Sequence, residues 1–126
     1  MKAITHGFIF TLIAIAISAP MMVQAGTLTI HNQNCTHKTG NWKTKKEVTV
    51  HVYNEFRGCT EKKVTVHRNR SETIEIAATD KNGYACGKYR HEAKGTTFGK
   101  YDVYGNEDSR VICKKDWAGV CQCTKV

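Results

Sequence analysis

The residues of this chain that are best suited to chemistry are cations grouped around an aromatic side chain. The segment 38–46 places four lysines on both sides of Trp42. Ammonium groups attract phosphate, sulfate and carboxylate, and an indole ring stacks on a sugar or a base. The segment therefore predicts a binding loop for an anionic polymer or surface, such as a glycan, lipopolysaccharide or nucleic acid. Two alternatives stay open: a merely solubilising basic surface, and a Trp42 that packs in the core.

The charge of the chain supports this prediction over a wider region. Residues 26–70 carry nine Lys/Arg and three Glu, whereas residues 71–126 carry nine basic and eight acidic residues. The first part therefore has a net charge of +6 and the second a net charge of +1. The predicted polyanion-binding residues are Lys38, Trp42, Lys43, Lys45, Lys46, Lys62, Lys63, Arg68 and Arg70.

A second set of residues suited to chemistry is the run Arg90-His91-Glu92. Small secreted ribonucleases use histidine and glutamate as acid and base, with arginine on the phosphate. Neighbours in a strand point to opposite faces, so His91 or His67 would have to meet a glutamate from another strand. A small secreted nuclease-like hydrolase is therefore the alternative function, and an inhibitory or structural partner protein is a second alternative. Because no spacing specifies catalytic residues, we favour a binding protein over an enzyme.

The histidines invite a metal site, but their predicted spacing argues against it. His51 and His67 share the outward phase of two predicted strands, 47–53 and 62–68. If these pair as an antiparallel hairpin with partner numbers near 114, His51 faces residue 63. His67 then lies about 13 Å away, whereas zinc bonds are only about 2 Å long. We expect no metal and no other cofactor.

Six cysteines predict how the fold is held together. They are Cys35, Cys59, Cys86, Cys113, Cys121 and Cys123, without any CxxC pair of the kind that binds zinc. In an exported chain they predict three disulfides, each contributing about 2–4 kcal/mol to stability. Cys121 and Cys123 are too close to bond to each other. Each therefore bonds to one of the other four cysteines, whose choice stays open, and the last two bond to each other.

The N-terminus indicates export. Lys2 precedes an apolar run of 12 residues, 8–19, and Val23-x-Ala25 offers a cleavage site. Such a run spans about 18 Å as a helix, which is less than the ~30 Å hydrocarbon core of a bilayer. We predict a signal peptide at residues 1–25 and a single secreted or periplasmic domain at residues 26–126, with no transmembrane span in the mature chain. The oligomeric state stays open.

Alternation of apolar and polar residues predicts that this domain is all-β. The fold class that we expect is a small disulfide-stapled antiparallel β-sandwich or barrel of about seven to eight short strands. The clearest strands are expected at 27–31, 47–53, 63–67, 73–76, 100–104 and 109–113, with a turn at 116–119 before a last strand.

One turn permits a more specific prediction. Asn82-Gly83 favours a type I′ hairpin, which would place Glu75 opposite Arg90. A bulge at Gly87 would then allow the residues on either side of it, Cys86 and Tyr89, to face inward together.

The run Asp80-x-x-x-Tyr84-x-Cys86 resembles the Asp-x-x-x-Tyr-x-Cys run of immunoglobulin domains. The resemblance covers seven residues. It implies a sandwich-like architecture and assigns no function.

Overall fold

Eleven β-strands and no helix make up the described part of the computed structural model, which comprises residues 25–38, 40, 42–56, 58–94 and 97–126. The predicted signal peptide, apart from Ala25, lies outside the described residues. The strands are β1 (Gly26–Asn32), β2 (His37–Lys38), β3 (Thr44–Lys45), β4 (Glu47–Tyr53), β5 (Lys62–His67), β6 (Arg70–Ile76), β7 (Lys88–Lys94), β8 (Thr97–Lys100), β9 (Val103–Tyr104), β10 (Ser109–Lys115) and β11 (Cys121–Lys125).

Two sheets enclose one core, which confirms the all-β, disulfide-stapled, sandwich-like prediction. One sheet has the order β6-β1-β10-β11-β8 and the other the order β5-β4-β7-β9, while β2 and β3 form a separate hairpin. Two pairings, β1 with β10 and β11 with β8, are parallel. Parallel neighbours need long crossover connections, so no local turn signal in the sequence announces them.

The predicted alternation decides which side chains fill the core. Val48, Val50 and Val52 of β4 are buried, and so are Leu28 and Ile30 of β1. The alternate residues of these strands, from Thr27 to His31 in β1 and from Glu47 to Tyr53 in β4, are partly exposed and polar. Burial of the β-branched and leucine side chains, worth about 1.5–3 kcal/mol each, holds the two sheets together.

The register of β4 and β5 agrees with the prediction. Glu47 pairs with His67 and His51 pairs with Lys63, so partner numbers sum to 114. This hairpin is local and both strands alternate cleanly, which is why its register can be derived from the sequence.

The hairpin predicted at Asn82-Gly83 is wrong. A turn does form there, with Gly83 at φ 84° and the single bridge Thr79–Ala85, but the flanking strands separate into different sheets. Glu75 pairs with Thr27 of β1, and Arg90 pairs with Tyr53 of β4. Each strand buries more apolar surface within its larger sheet than it would in an isolated two-stranded ribbon at this turn.

The inward placement predicted around Gly87 is confirmed. Cys86 and Tyr89 are both buried. Gly87 takes φ 67°, a left-handed conformation that glycine adopts readily. Cys86 and Gly87 precede β7, which begins at Lys88, so the two side chains face inward without the predicted bulge inside a strand. Tyr84, in contrast, is 72% exposed, so the short run that resembles immunoglobulin domains does not place a buried tyrosine here.

Three disulfides connect the six cysteines: Cys35–Cys121, Cys59–Cys86 and Cys113–Cys123. Cys121 and Cys123 therefore bond to separate partners, as predicted, and no cysteine is free. The first and third bonds lie close together because Cys121 and Cys123 are two residues apart on β11. Three disulfides in so small a chain are typical of an oxidising, extracellular environment.

Candidate binding surface at one end of the sandwich

The strand topology brings three distant segments to one end of the sandwich. Because β1 and β10 are parallel, both strands run towards the same end of the sheet, where Asn32 pairs with Cys113. The β5–β6 turn reaches this end as well, since the Asn69 amide donates to the Asn32 carbonyl at 2.7 Å. We call the residues 32–47, 66–70 and 113–121 the basic end.

A buried asparagine connects the parts of this end. Asn32 is fully buried, and its side-chain Nδ2 donates to the carbonyls of Cys35 at 3.2 Å and Val66 at 3.0 Å. Its Oδ1 accepts a hydrogen bond from the Cys35 amide at 2.7 Å. One side chain therefore joins β1, the chain that leads to β2, and β5 of the opposite sheet.

The lysine-rich loop predicted to bind a polyanion belongs to the β2–β3 hairpin. Its base is held to β4 by the ring of His37, whose Nδ1 lies 3.0 Å from the Glu47 carbonyl oxygen. Lys38, Lys43, Lys45 and Lys46 are exposed. Trp42 is 88% exposed and takes φ 63°, so it does not pack in the core. This answers the question that the sequence left open about the indole.

Two further predicted residues lie beside this hairpin. The Arg68 amide donates to the Lys46 carbonyl at 2.9 Å, and Arg70, the first residue of β6, pairs with Asn32. Asn69 between them takes φ 62°, a left-handed conformation that asparagine tolerates in a tight turn, and both arginines are exposed. The guanidinium groups therefore belong to the same end as the lysines.

Sequence reasoning missed a third contribution, from the turn between β10 and β11. Lys114 and Lys115 end β10, and the Lys115 amide donates to Asn34 Oδ1 at 2.7 Å. Trp117 follows in the turn and is 99% exposed. These residues lie in the half of the chain whose net charge is near zero, and only the parallel pairing of β1 with β10 places them here.

Charge is therefore concentrated at the basic end. Its segments contain eight Lys/Arg and two acidic residues, a formal charge of +6, which leaves +1 for the rest of residues 26–126. The two acids are already engaged. Glu47 lies 3.8 Å from Lys45 and 3.5 Å from His67, and Asp116 Oδ1 accepts backbone hydrogen bonds from its own turn.

Two residues predicted to belong to the binding set lie elsewhere. Lys62 and Lys63 begin β5, whereas Arg68 follows its last residue. Five or six residues of strand separate them, or about 16–20 Å. Lys62 lines a groove next to Thr73 and Ile74, and Lys63 is the cross-strand neighbour of His51.

A second group of titratable side chains lies on the outer face of the four-stranded sheet. His51 Nε2 is 3.0 Å from Glu61 Oε1, and its ring stacks on Tyr53 with a centroid distance of 4.8 Å. Glu92 is the cross-strand neighbour of His51 on β7. Tyr53 Oη donates to Glu92 Oε1 at 3.0 Å, and this bond raises the pKa of the Tyr53 phenol.

A groove of about 470 Å³ adjoins this group along β7. Its lining includes Arg90, His91 and Glu92, the predicted acid–base run, although neighbours in a strand have opposite phases. Both phases reach it because β9 pairs only with Lys88 and Tyr89 at the start of β7.

The remaining contacts of this groove are mostly internal. His91 stacks on Tyr101 at a centroid distance of 3.7 Å, and burial raises the pKa of the Tyr101 phenol. Arg90 Nη2 lies 2.6 Å from Glu55 Oε1, so its charge is neutralised locally. The groove therefore has the residue types for acid–base chemistry, with its arginine already paired.

Metal binding and membrane spanning find no support among the described residues. No group of three or more His, Cys, Asp or Glu side chains in the described ranges is arranged to hold a metal ion. That part of the chain also contains no helix with the length and hydropathy to cross a bilayer.

Comparison with known proteins adds little to this picture. No family model matches the chain, and no curated protein matches it. Among solved structures it is similar to the NMR structure of a protein from Eubacterium rectale, with 18% sequence identity and a TM-score of 0.48. The match covers 79% of this chain and 86% of that one.

Proposed function

We propose that this is a secreted or periplasmic binding protein whose basic end holds an anionic polymer, such as an acidic glycan, lipopolysaccharide or nucleic acid. The observation that carries the proposal is the convergence of three segments, distant in sequence, on one end with a formal charge of +6. A charge that served only solubility would have no reason to collect there.

The chemistry of the basic end suits a polyanion. Eight ammonium and guanidinium groups share this end with two exposed indoles, so cations and aromatic rings are available together. Asn32 and the Cys35–Cys121 bond fix the backbone of the segments that carry these groups. A backbone that is already ordered lowers the entropic cost of binding a ligand.

The test is retention on heparin, lipopolysaccharide and RNA columns across a salt gradient. The variant K43Q/K45Q/K46Q removes three charges from the basic end. The matched control K62Q/K63Q/K81Q removes three charges from exposed positions at the far end. We expect the first variant to elute at clearly lower salt and the control to elute close to the wild type.

The salt dependence gives a quantitative check. Each lysine that neutralises a phosphate of single-stranded RNA contributes about 0.7 to the slope of log affinity against log salt. Loss of three such contacts should therefore reduce the slope by about 2. The K114Q/K115Q variant removes two charges from the end of β10 and should reduce it by up to about 1.4. Equal elution of both triple variants, or early elution of the wild type from all three columns, would contradict the proposal.

A secreted nuclease is a second candidate, favoured by the groups around His51 and the groove along β7. His51 lies between two glutamates, with Lys63 on the neighbouring strand, which is the combination that acid–base cleavage of a phosphodiester needs. Incubation of the folded protein with single-stranded RNA tests it. Cleavage that is lost in H51Q or H91Q would support the nuclease, and intact RNA after prolonged incubation would exclude it.

A further inference from the structure

The two tryptophans of the chain show the same unusual behaviour. Trp42 and Trp117 are 88% and 99% exposed, although tryptophan is usually largely buried. They lie 75 positions apart in the sequence and yet share the basic end. A side chain with this much apolar surface in water is typical of an interaction site.

A disulfide and backbone hydrogen bonds anchor the loops that carry the two indoles. Cys35 precedes β2 and Cys121 follows the turn of Trp117, and the disulfide between them sets their Cα atoms 5.5 Å apart. The Trp117 turn is closed by Asp116, whose Oδ1 accepts the amides of Ala118 at 2.9 Å and Val120 at 3.0 Å. The exposure of Trp117 therefore belongs to a well-bonded turn.

The backbone at Trp42 is the second unusual feature. A φ of 63° is rare for a bulky residue, and such conformations concentrate where a side chain is needed in a particular place. Here the residue with this conformation carries an exposed indole and is followed by the exposed Lys43.

Exposure of this extent favours a bilayer surface over a stacked polymer as the partner of the two indoles. A ring that stacks on a polymer usually lies in a groove with protein behind it. Trp117 at 99% exposure has almost no protein against either face. Indoles that project on loops, with lysine and arginine around them, are suited to the interface of a bilayer, where the ring enters the head-group region and the cations meet lipid phosphates.

We propose that the basic end docks on an anionic lipid surface, with Trp42 and Trp117 as its two interfacial anchors. This inference rests on the proposed function for the role of the charge and adds a lipid head-group layer as the partner. Charge brings the protein to the surface, and the two apolar rings hold it there at salt concentrations that release a purely electrostatic ligand.

Intrinsic fluorescence provides a direct test because the chain has only these two tryptophans. The folded protein is titrated with vesicles of phosphatidylcholine that contain phosphatidylglycerol, and with vesicles of phosphatidylcholine alone. We expect a blue shift and quenching by brominated acyl chains in the anionic vesicles only. W42F and W117F leave one reporter each, and both should still show the shift.

Affinity measurements complete the design. W42A and W117A should each weaken vesicle binding roughly tenfold, because each removes a large apolar anchor. Each variant should lose more affinity for vesicles than for heparin, because only a bilayer takes up the apolar ring. F56A is the matched control, since Phe56 is also exposed (62%) but lies in the loop between β4 and β5, away from the basic end. It should bind vesicles like the wild type.

The outcomes separate the two proposals. Absence of a fluorescence shift with anionic vesicles, while heparin retention and its dependence on Lys43, Lys45 and Lys46 persist, would overturn lipid docking and leave polymer binding in place. An equal loss of heparin and vesicle binding in W42A and W117A would also overturn it, because the indoles would then be stacking on the polymer. Failure on vesicles and columns alike would remove both proposals.

Discussion

Substitution of Asn32 by alanine should destabilise the protein more than any other single loss of a polar side chain described above. The carboxamide makes three hydrogen bonds at a fully buried position, to the Cys35 amide, the Cys35 carbonyl and the Val66 carbonyl. A buried hydrogen bond is worth about 1 kcal/mol net, and a buried partner left without a bond adds to the loss. We therefore expect N32A to lower the free energy of unfolding by about 3–4 kcal/mol.

The assay is urea unfolding at neutral pH with the disulfides intact, followed by far-UV circular dichroism. N32D keeps the Oδ1 acceptor but replaces the donor with a carboxylate oxygen facing two carbonyls, so it should be at least as unstable. N106A, at an exposed position in the turn after β9, serves as a control and should stay within about 0.5 kcal/mol of the wild type. A loss below about 1 kcal/mol in N32A would refute the argument that this side chain holds the two sheets together.

Three further predictions concern thiols and tyrosines. The denatured, unreduced protein should show no free thiol on titration with a thiol reagent, and two free thiols per chain would contradict the disulfide set. Burial raises the pKa of Tyr101, so the folded state retains a proton that the unfolded chain releases above about pH 10. The stability contributed by this group is therefore complete below pH 10 and declines at higher pH. In the same urea assay, Y101F should lose less stability than the wild type between pH 9 and pH 11. E92Q removes the carboxylate bonded to Tyr53, so an ultraviolet titration should show the raised pKa of Tyr53 falling towards its ordinary value; an unchanged titration would exclude Glu92 as the cause.

The extent to which the fold follows from the sequence depends on how local each pairing is. The β4–β5 register could be derived because two alternating strands follow one another in the chain, and both core faces agree on one alignment. The turn at Gly83 was also correctly located. The predicted pairing of its flanking strands is wrong. Asp80 closes the turn through its own side chain, which accepts hydrogen bonds from the amides of Asn82 and Tyr84. Such a turn does not require the strands on either side to pair.

The candidate site shows the same limit. Six of the predicted cations and Trp42 can be assigned from the sequence because they lie in two neighbouring segments that the β4–β5 hairpin brings together. Lys114, Lys115 and Trp117 cannot, because their position depends on a parallel pairing between residues more than 80 positions apart. The exposure of Trp42 was open for a related reason: composition does not determine whether a hairpin tip folds back onto the core.

The parallel pairing of β1 with β10 also constrains the order of folding. Leu28 pairs with Ser109, a separation of 81 residues, and Cys35 bonds to Cys121 across 86. A chain that emerges with its N-terminus first can form the β4–β5 hairpin early and can add β6 to β1 next. The centre of the larger sheet has to wait until β10 arrives, and contacts of such long range make folding slow. The basic end is therefore completed last, so a chain truncated before residue 109 would carry most of the lysines without the surface that they form.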